Sequence, residues 1–407
     1  MRTVRETLRG LLPTAIRERY HRHALKRDFG IDRSRGGRRP GSIDRRHAPG
    51  LNLIGYLDSP SGLGQSVRCL AQAARAAGVP VSCLEASRSR PPAAEPAQFD
   101  VNLYHVNADG AAATVEELGP RLHSGRANVA YWYWETESFP ERWKDRFDYF
   151  DEVWVASEYC RRAIAAASPI PVTLVPPAVT SAAVSPEPKT SAGIDPSDFL
   201  FLTVLDALSV PERKNPLGTV RAFARAFPSP SNAHLLVQIS NLESAPDLEE
   251  SLRKAASGAR VSIRAGSLPR EDLENLFAAC DGYVSLHRAE GFAFPIAEAM
   301  ALGKPVVATD YSGSADYLDE STGFPVRWQY GTLSRRIRDY DRGTRWAEPD
   351  EGHAADQLRR VAANPAEARR RGAAGERRIA ERYGLSAAGE RISSALARLR
   401  QRLKATA

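Results

Sequence analysis

Residues 285–312 read SLHRAEGFAFPIAEAMALGKPVVATDYS, and they place a turn, a short helix and a strand in one short length of chain. Pro295 is predicted to open the helix, because proline suits the first helical position, and Gly303 is predicted to end it. A strand is predicted directly afterwards, from Lys304 to Thr309. A helix followed at once by a strand is typical of an α/β fold with a parallel sheet.

The same stretch carries two acids, Glu290 and Glu298, that stand eight positions apart around the start of the helix. Helix N-termini bind phosphate because their first N–H groups have no partner within the helix. Carboxylates bind sugar hydroxyls because they only accept hydrogen bonds. These features together predict a site for a nucleotide-sugar.

Strands and helices alternate outward from this stretch in both directions. A strand at Leu51–Leu57 and a helix at Ser66–Ala77 open one half of the chain, and a strand at Phe199–Leu205 opens the other. Residues 181–198, between the halves, are rich in Ser, Pro and Ala and lack periodicity, which is typical of a linker. We therefore predict two doubly wound α/β domains, with the ligand in the cleft between them at the carboxyl ends of the strands.

Five segments follow from this pattern and from the distribution of charge. They are a basic, flexible tail (1–48), a first Rossmann-like domain (49–185), a linker (186–198), a second Rossmann-like domain (199–370) and C-terminal helices (371–407).

The amino-acid composition indicates a protein with buried cores and argues against several other kinds of protein. An apolar fraction of 43% is enough for buried cores. The four cysteines are scattered without a CxxC pair, which argues against a structural zinc site or a disulfide scaffold and favours a reducing cytoplasm. No run approaches the roughly 18 apolar residues that a membrane-spanning helix needs.

Positive charge is concentrated at the N-terminus. Residues 1–50 hold 14 Lys and Arg against 5 Asp and Glu, whereas the remainder holds 42 against 44. Such a tail is either a solvated arm or a surface for anionic lipid or nucleic acid. A weak apolar stripe among the arginines suits peripheral binding to a membrane, whereas no nucleic-acid recognition motif is present. The stripe comprises Val4, Leu8, Leu11, Leu12 and Ile16.

Several blocks of the sequence, in order, resemble the large group 1 family (family 4) of retaining glycosyltransferases with the GT-B fold, which includes bacterial mannosyl- and glucosyltransferases. The acids of residues 285–312 resemble its E-x7-E signature. The other blocks are YWYWETESFPERW (131–143), FDEVWVASEYCRRAI (150–164), ERKNPLGTVRAFARAF (212–227) and CDGYVSLHRAEGF (280–292). The resemblance runs from about residue 51 to about residue 385. It implies that the first domain (49–185) is the acceptor side, that the second domain (199–370) binds the nucleotide-sugar, and that the C-terminal helices (371–407) pack back toward the first domain.

The resemblance implies roles for individual residues of the second domain. Glu298 resembles the carboxylate that binds the ribose hydroxyls, and Glu290 the one beside the transferred sugar. Lys214 resembles the lysine on the diphosphate, with Arg213 beside it. The remaining donor-binding residues belong to the turn whose backbone N–H groups meet the sugar and diphosphate, namely Gly291, Phe292, Ala293 and Phe294.

One departure from the family concerns the diphosphate. Many members carry a Gly-Arg pair six residues before the lysine, where this chain has Ala207 and Leu208. If the leaving group needs an arginine, Arg213 or Arg288 is expected to supply it.

In the first domain, Gly62 and Gly64 resemble a glycine-rich loop that faces the donor phosphates, since glycine lets the backbone approach closely. His105 follows a predicted strand at the edge of the cleft, where it is either a histidine near the reacting sugar or a buried structural group. Trp134 and Glu135 stand where family members meet the acceptor or the sugar, although the tryptophan also suits an aromatic core strand.

His287, just before the first acid of the signature, leaves the same two interpretations open, a structural role or a functional one.

The resemblance implies retaining transfer of a hexose from a nucleotide-diphospho-sugar to a glycan or glycolipid in bacterial surface polysaccharide synthesis. It favours GDP-mannose as donor, then UDP-glucose. No cofactor and no metal are expected, because no Asp-x-Asp ends a strand. Two alternatives stay open: a sugar-nucleotide epimerase or phosphorylase on the same fold, and a catalytically inactive scaffold. The expected location is cytoplasmic, with peripheral contact to the inner face of the plasma membrane.

Overall fold

The computed structural model describes residues 14–32, 37–38, 43–86, 97–180 and 189–406. Within these ranges, three elements precede the first domain: α1 Thr14–Phe29, β1 Ile31–Asp32 and β2 Gly37–Arg38. Leu25 of α1 is 2% exposed, and the Phe29 ring packs edge-on against His123 at 5.5 Å between centroids. This part of the predicted tail is therefore folded, because α1 buries apolar side chains against the first domain. Four residues of the expected apolar stripe, Val4, Leu8, Leu11 and Leu12, lie outside the described residues, and the fifth, Ile16, lies in α1.

The first domain is built on a six-stranded parallel sheet. Its strands are β3 Ala48–Gly55, β4 Val81–Glu85, β5 Phe99–His105, β6 Ala127–Trp132, β7 Glu152–Val155 and β8 Val172–Leu174. Its helices are α2 Gly62–Ala76, α3 Ala108–Leu118, α4 Pro120–His123 and α5 Glu158–Ala165, with a 3₁₀ segment at Glu141–Tyr149. The strand order is β4-β3-β5-β6-β7-β8.

The second domain contains another six-stranded parallel sheet, in the order β11-β10-β9-β12-β13-β14. Its strands are β9 Phe199–Asp206, β10 Ala233–Ser240, β11 Val261–Ala265, β12 Gly282–Ser285, β13 Val306–Thr309 and β14 Phe324–Val326. Its helices are α6 Pro211–Lys214, α7 Pro216–Ala226, α8 Pro246–Ala256, α9 Arg270–Ala279 and α10 Phe294–Ala301. Short 3₁₀ segments lie at Lys189–Ala192, Ala207–Ser209, Leu242–Ser244 and Ser312–Asp316.

Each sheet has a point where the order of its strands reverses, between β3 and β5 in the first domain and between β9 and β12 in the second. Ligands of doubly wound sheets bind at the carboxyl ends of the strands beside such a point. The predicted donor-binding residues follow β9 and β12, and the glycine-rich segment follows β3. The topology therefore brings both predicted halves of the site to the cleft.

An antiparallel hairpin, β15 Trp328–Thr332 and β16 Arg345–Pro349, leaves the second domain after β14. No pattern in the sequence predicted this hairpin. Its outer loop, residues 333–344, reaches the first domain, where Arg142 donates to Asp341 Oδ2 at 2.7 Å. The Tyr330 hydroxyl donates to Glu137 Oε1 at 2.6 Å. The hairpin therefore bridges the mouth of the cleft.

The chain ends in three helices, α11 Glu351–Ala363, α12 Pro365–Tyr383 and α13 Leu385–Thr406. The predicted boundary at residue 371 falls inside α12, which packs on the second domain. Helix α13 returns to the first domain, and a Cβ on Gly389 would meet the Ala73 carbonyl of α2 at 2.5 Å. Arg400 binds both oxygens of Asp100, at 2.7 and 2.8 Å.

Among the helices in the described part of the chain, none is long and apolar enough to cross a membrane. The part of the predicted linker that the structure describes is packed: Ile194 is 1% exposed, and Lys189 donates to Asp281 Oδ2 at 2.7 Å. The predicted domain boundary at residue 185 lies outside the described residues.

Candidate functional site

A cavity of about 450 Å³ lies between the two domains at the carboxyl ends of both sheets. Loops after β3, β5 and β6 line it from the first domain, and loops after β9, β10 and β12 line it from the second. Eleven of the predicted site residues line this cavity: Gly62, Trp134, Glu135, Arg213, Lys214, Glu290, Gly291, Phe292, Ala293, Phe294 and Glu298. Gly64 and His105 do not.

A one-turn helix, α6, carries two of the cations. Val210 before it has φ 61°, an unusual conformation for a β-branched residue. Asn215 after it has φ 52° and caps α7 by accepting from Gly218 N at 3.1 Å. Asn215 also donates to the Leu286 carbonyl at 2.8 Å, which ties this turn to the segment after β12. The strained backbone holds Arg213 and Lys214 at the end of β9.

Glu290 accepts from both of these cations. Lys214 Nζ binds its Oε1, and Arg213 Nη1 lies 3.1 Å from its Oε2. The Arg213 guanidinium, 5% exposed, also donates to the Ala289 carbonyl at 2.7 Å and to the Ser209 carbonyl at 3.1 Å. A carboxylate and two cations thus form one buried network at the switch point of the second sheet.

The network determines the charge of Glu290. Burial alone would raise the pKa of this carboxyl, but Lys214 and Arg213 outweigh it and lower the pKa to about 2. Glu290 is therefore a carboxylate at neutral pH, and its charge offsets part of the positive charge of its neighbours.

Glu298 has a different environment. Arg270, at the start of α9, donates to Glu298 Oε1 at 2.6 Å and to Glu274 Oε1 at 2.6 Å. Burial raises the pKa of Glu298, and the single shared arginine opposes this without reversing it. The two acids of the signature therefore differ in charge environment.

The turn between the two acids is tightly packed. Ala293, the N-cap of α10, has φ 66°. A Cβ on Gly313 would lie 2.3 Å from the Gly291 carbonyl, so the chain needs glycine there. That carbonyl accepts from the first domain's Ser157 hydroxyl at 2.6 Å. The N-terminus of α10 therefore faces the cavity with its turn held from both domains.

The first domain contributes the N-terminus of α2. Gly62 and Gly64, predicted in a loop, instead form the first turn of this helix, because Ser61 caps it by accepting from Gly64 N at 3.3 Å. A Cβ on Gly64 would lie 2.1 Å from the Ser59 carbonyl, whereas one on Gly62 would meet nothing within 4 Å. The first-turn N–H groups of α2 thus stand across the cavity from Lys214.

His105 is fully buried beneath the cavity floor. Its Nε2 lies 2.8 Å from the Ser66 hydroxyl, which in turn bonds Tyr133 Oη. Burial lowers the pKa of His105 to about 4, so the ring is neutral. Tyr133 lines the cavity and His105 does not, so His105 can reach a ligand only through this relay.

His287 is likewise buried, with Nε2 lying 3.2 Å from the Tyr311 carbonyl. The cavity lining does not include it.

Trp134 and Glu135 line the cavity from the first domain, and Glu135 Oε1 lies 4.0 Å from Arg213 Nη2. The Trp134 ring packs on Tyr340 of the hairpin loop at 5.5 Å between centroids. Tyr340 donates to Glu135 Oε2 at 2.9 Å. Of the two arginines expected near the leaving group, Arg213 lines the cavity, whereas Arg288 faces away from it and binds Glu348 at 2.8 Å.

Sequence reasoning missed several residues of this site. The signal for Arg270 in the sequence is its position directly after Pro269, at the start of α9 in the same domain. Arg338, Asp339 and Tyr340 line the cavity from the hairpin loop, whose sequence carries no periodic pattern. The described residues include no group of His, Cys, Asp and Glu suited to hold a metal ion.

Part of the chain matches a known protein family in sequence, and most of the chain matches solved structures in fold. Residues 203–337 match the family model described as glycosyl transferases group 1. That match is about a third of the chain, and it contains Lys214 and both acids of the signature. No curated protein sequence matches the chain.

Solved structures of two-domain enzymes match it over most of its length. Sucrose-phosphate synthase from Thermosynechococcus elongatus is 18% identical, with a TM-score of 0.62 over 86% of this chain and 99% of that one. HepE of Anabaena, in complex with UDP and glucose, is 13% identical, with a TM-score of 0.61 over 86% and 100%. A glycosyltransferase from Rickettsia africae is 13% identical, with a TM-score of 0.63 over 86% and 98%. These likenesses confirm the predicted GT-B fold.

Proposed function

We propose that this protein is a retaining glycosyltransferase that moves a hexose from a nucleotide-diphospho-sugar to a hydroxyl of a glycan or glycolipid. The observation that carries the proposal is the Glu290–Lys214–Arg213 network, which faces the N-terminus of α2 across a cavity between the two sheets. The family match of residues 203–337 supports glycosyl transfer.

The reaction breaks the bond between the anomeric carbon and the diphosphate oxygen, and both electrons stay on that oxygen. The acceptor hydroxyl oxygen forms the new bond on the same face of the sugar, and its proton passes to the leaving phosphate. The protein's main task is therefore to stabilise negative charge on the diphosphate, which fixed cations and helix N-termini do well. Lys214 and the first turns of α2 and α10 lie where they can act in this way.

The two acids then serve different parts of the donor. Glu298 binds the ribose hydroxyls with its free oxygen, since Arg270 holds the other. Glu290 holds Lys214 and Arg213 in place and meets the transferred sugar. Trp134 and Glu135 face the sugar or the acceptor from the first domain. Closure of the domains would exclude water and limit donor hydrolysis.

The donor is a hexose nucleotide, with GDP-mannose first and UDP-glucose next in our proposal. The solved relative HepE is seen with UDP and glucose, and the O-GlcNAc transferase GtfA with UDP and GlcNAc. These ligands belong to those proteins, and they support a nucleotide-sugar as the class of donor. Synthesis of a bacterial surface polysaccharide in the cytoplasm, at an anionic membrane surface met by the basic residues 1–48, completes the proposal.

A donor panel tests the proposal directly. Purified protein is incubated with GDP-mannose, UDP-glucose or UDP-GlcNAc and with octyl glucoside or octyl mannoside as acceptor. We expect one donor to release nucleoside diphosphate in step with a new glycoside that keeps the donor's anomeric configuration by NMR. Lys214→Ala should cut the rate at least about 100-fold, because a cation at the developing charge is lost.

Three results would contradict it. An isomerised sugar-nucleotide without a glycoside indicates an epimerase, and no affinity for any nucleotide indicates a scaffold. If the Lys214→Ala variant folds and keeps full activity, the network does not have the role assigned to it.

A further inference from the structure

We propose that Arg338, which the hairpin loop carries into the cleft, binds the departing diphosphate. Its guanidinium supplies the positive charge that the Leu208 side chain does not provide at this place. The inference rests on the proposed function and extends it to a residue outside the family match, which ends at residue 337.

Four cationic side chains of the described residues line the cavity, and three of them are bound to carboxylates. Arg213 and Lys214 bind Glu290, and Arg270 is shared between two glutamates. Arg338 is the exception: among the described residues it forms no ion pair. Its Nη1 donates to the Leu208 carbonyl at 2.6 Å. One such bond leaves most of the five guanidinium N–H donors available to an anion.

The contact with the Leu208 carbonyl locates this cation. Leu208 lines the cavity, and its side chain, with the residue 50% exposed, offers no donor to a phosphate. The guanidinium of Arg338 is within hydrogen-bonding distance of the backbone from which that side chain projects. The hairpin thus delivers a positive charge to the part of the cleft where the Leu208 side chain provides none.

The loop holds Arg338 firmly. Its φ of 46° is uncommon for a residue other than glycine, and such strain persists where the surroundings impose it. On one side, Arg336 Nε donates to the Arg338 carbonyl at 2.8 Å. On the other, the first domain's Arg142 donates to the Asp339 carbonyl at 2.5 Å and to Asp341 Oδ2 at 2.7 Å. A backbone held in this way places the Arg338 side chain at the cleft before charge develops, which lowers the reorganisation that the reaction requires.

Calorimetry with a nucleoside diphosphate and with a nucleoside monophosphate distinguishes a contact to the β-phosphate from a general effect of positive charge on nucleotide binding. Only a nucleoside diphosphate carries the β-phosphate, so the ratio of its affinity to that of the monophosphate reports contacts to that group. We expect Arg338→Ala to lower the affinity for GDP or UDP about tenfold and to leave that for GMP or UMP unchanged. Arg335→Ala is the matched control, since Arg335 lies on the same loop and does not line the cavity.

Two further variants keep the test independent of folding. Arg338→Gln can retain the bond to the Leu208 carbonyl but not the charge, and it should behave like Arg338→Ala. Leu208→Arg combined with Arg338→Ala should restore both the diphosphate preference and turnover, because it returns a cation to the same wall. A purely structural role for Arg338 would show no such rescue.

The outcomes distinguish this inference from the proposed function. A wild-type protein that binds neither nucleotide overturns the proposed function and the inference with it. A wild-type protein that prefers the diphosphate, with the same preference in Arg338→Gln, overturns the inference alone. An equal loss in Arg335→Ala does so as well, because it shows an unspecific effect of charge.

Discussion

Glu290 shows how the neighbours of one residue set both its charge and its contribution to folding. Its carboxylate is buried between Lys214 and Arg213, and removal of one member of a buried ionic network leaves the others without compensation. The same acid that serves the donor therefore also stabilises the fold around α6.

The charge of Glu290 predicts a dependence of stability on pH. A carboxyl whose pKa falls from 4.5 to about 2 on folding stabilises the native state by about 3 kcal/mol. This contribution is complete above pH 4.5 and is lost as the pH falls toward 2. Between pH 6 and pH 3 the free energy of unfolding of the wild type should fall. We expect this fall to be about 2 kcal/mol smaller in Glu290→Gln.

Urea unfolding at a series of pH values measures this difference. Glu381→Gln, at an exposed site, is the control and should follow the wild type. Parallel curves for the wild type and Glu290→Gln would contradict the lowered pKa.

At the scale of elements, the two glycines at the start of α2 serve different purposes, although they belong to one motif. Gly64 lies where a Cβ would meet the Ser59 carbonyl at 2.1 Å, so the turn before α2 packs against the helix itself. A Cβ on Gly62 would meet nothing, although Gly62 lines the cavity. Gly64 thus permits the fold of the loop, and Gly62 leaves room for a ligand.

The two glycines form a matched pair for mutation. Gly64→Ala should cost about 1–3 kcal/mol in the free energy of unfolding, because the loop before α2 has to shift. Gly62→Ala should change it by less than about 1 kcal/mol, since its conformation suits alanine, while it weakens nucleotide binding by filling the cavity. Urea unfolding and nucleotide calorimetry of both variants check this pattern, and equal destabilisation would refute it.

At the scale of the whole molecule, the last helix makes the first domain depend on the end of the chain. Helix α13 follows the second domain in sequence but packs on α2 of the first, where Gly389 allows close approach to Ala73. Leu399 of α13 is completely buried, whereas Leu385 at its start is 36% exposed.

Substitutions in α13 should therefore destabilise a domain that lies far away in sequence. Leu399→Ala should lower the free energy of unfolding by about 2–5 kcal/mol, and Leu385→Ala should change it by about 0.5 kcal/mol or less. Thermal unfolding measures the loss, and limited proteolysis should show cleavage first within residues 43–180. First cleavage within the second domain would contradict this coupling.

Much of the architecture followed from local pattern. The alternation of apolar strands with amphipathic helices predicted two parallel α/β domains, and Pro295 and Gly303 marked the two ends of α10, because such signals lie within a few residues of each other. The resemblance of Lys214, Glu290 and Glu298 to a known signature then pointed to the cleft.

The sequence by itself determined that the chain forms two doubly wound domains with a cleft at the carboxyl ends of their strands. Only the tertiary structure decided which groups face the ligand: it buried His105, turned Arg288 away and brought Arg338 to Leu208, 130 positions distant in the chain. The physical reason is that strand and helix periodicity is written in neighbouring residues. Charge, burial and access at the site depend instead on contacts between segments that meet only when the chain has folded.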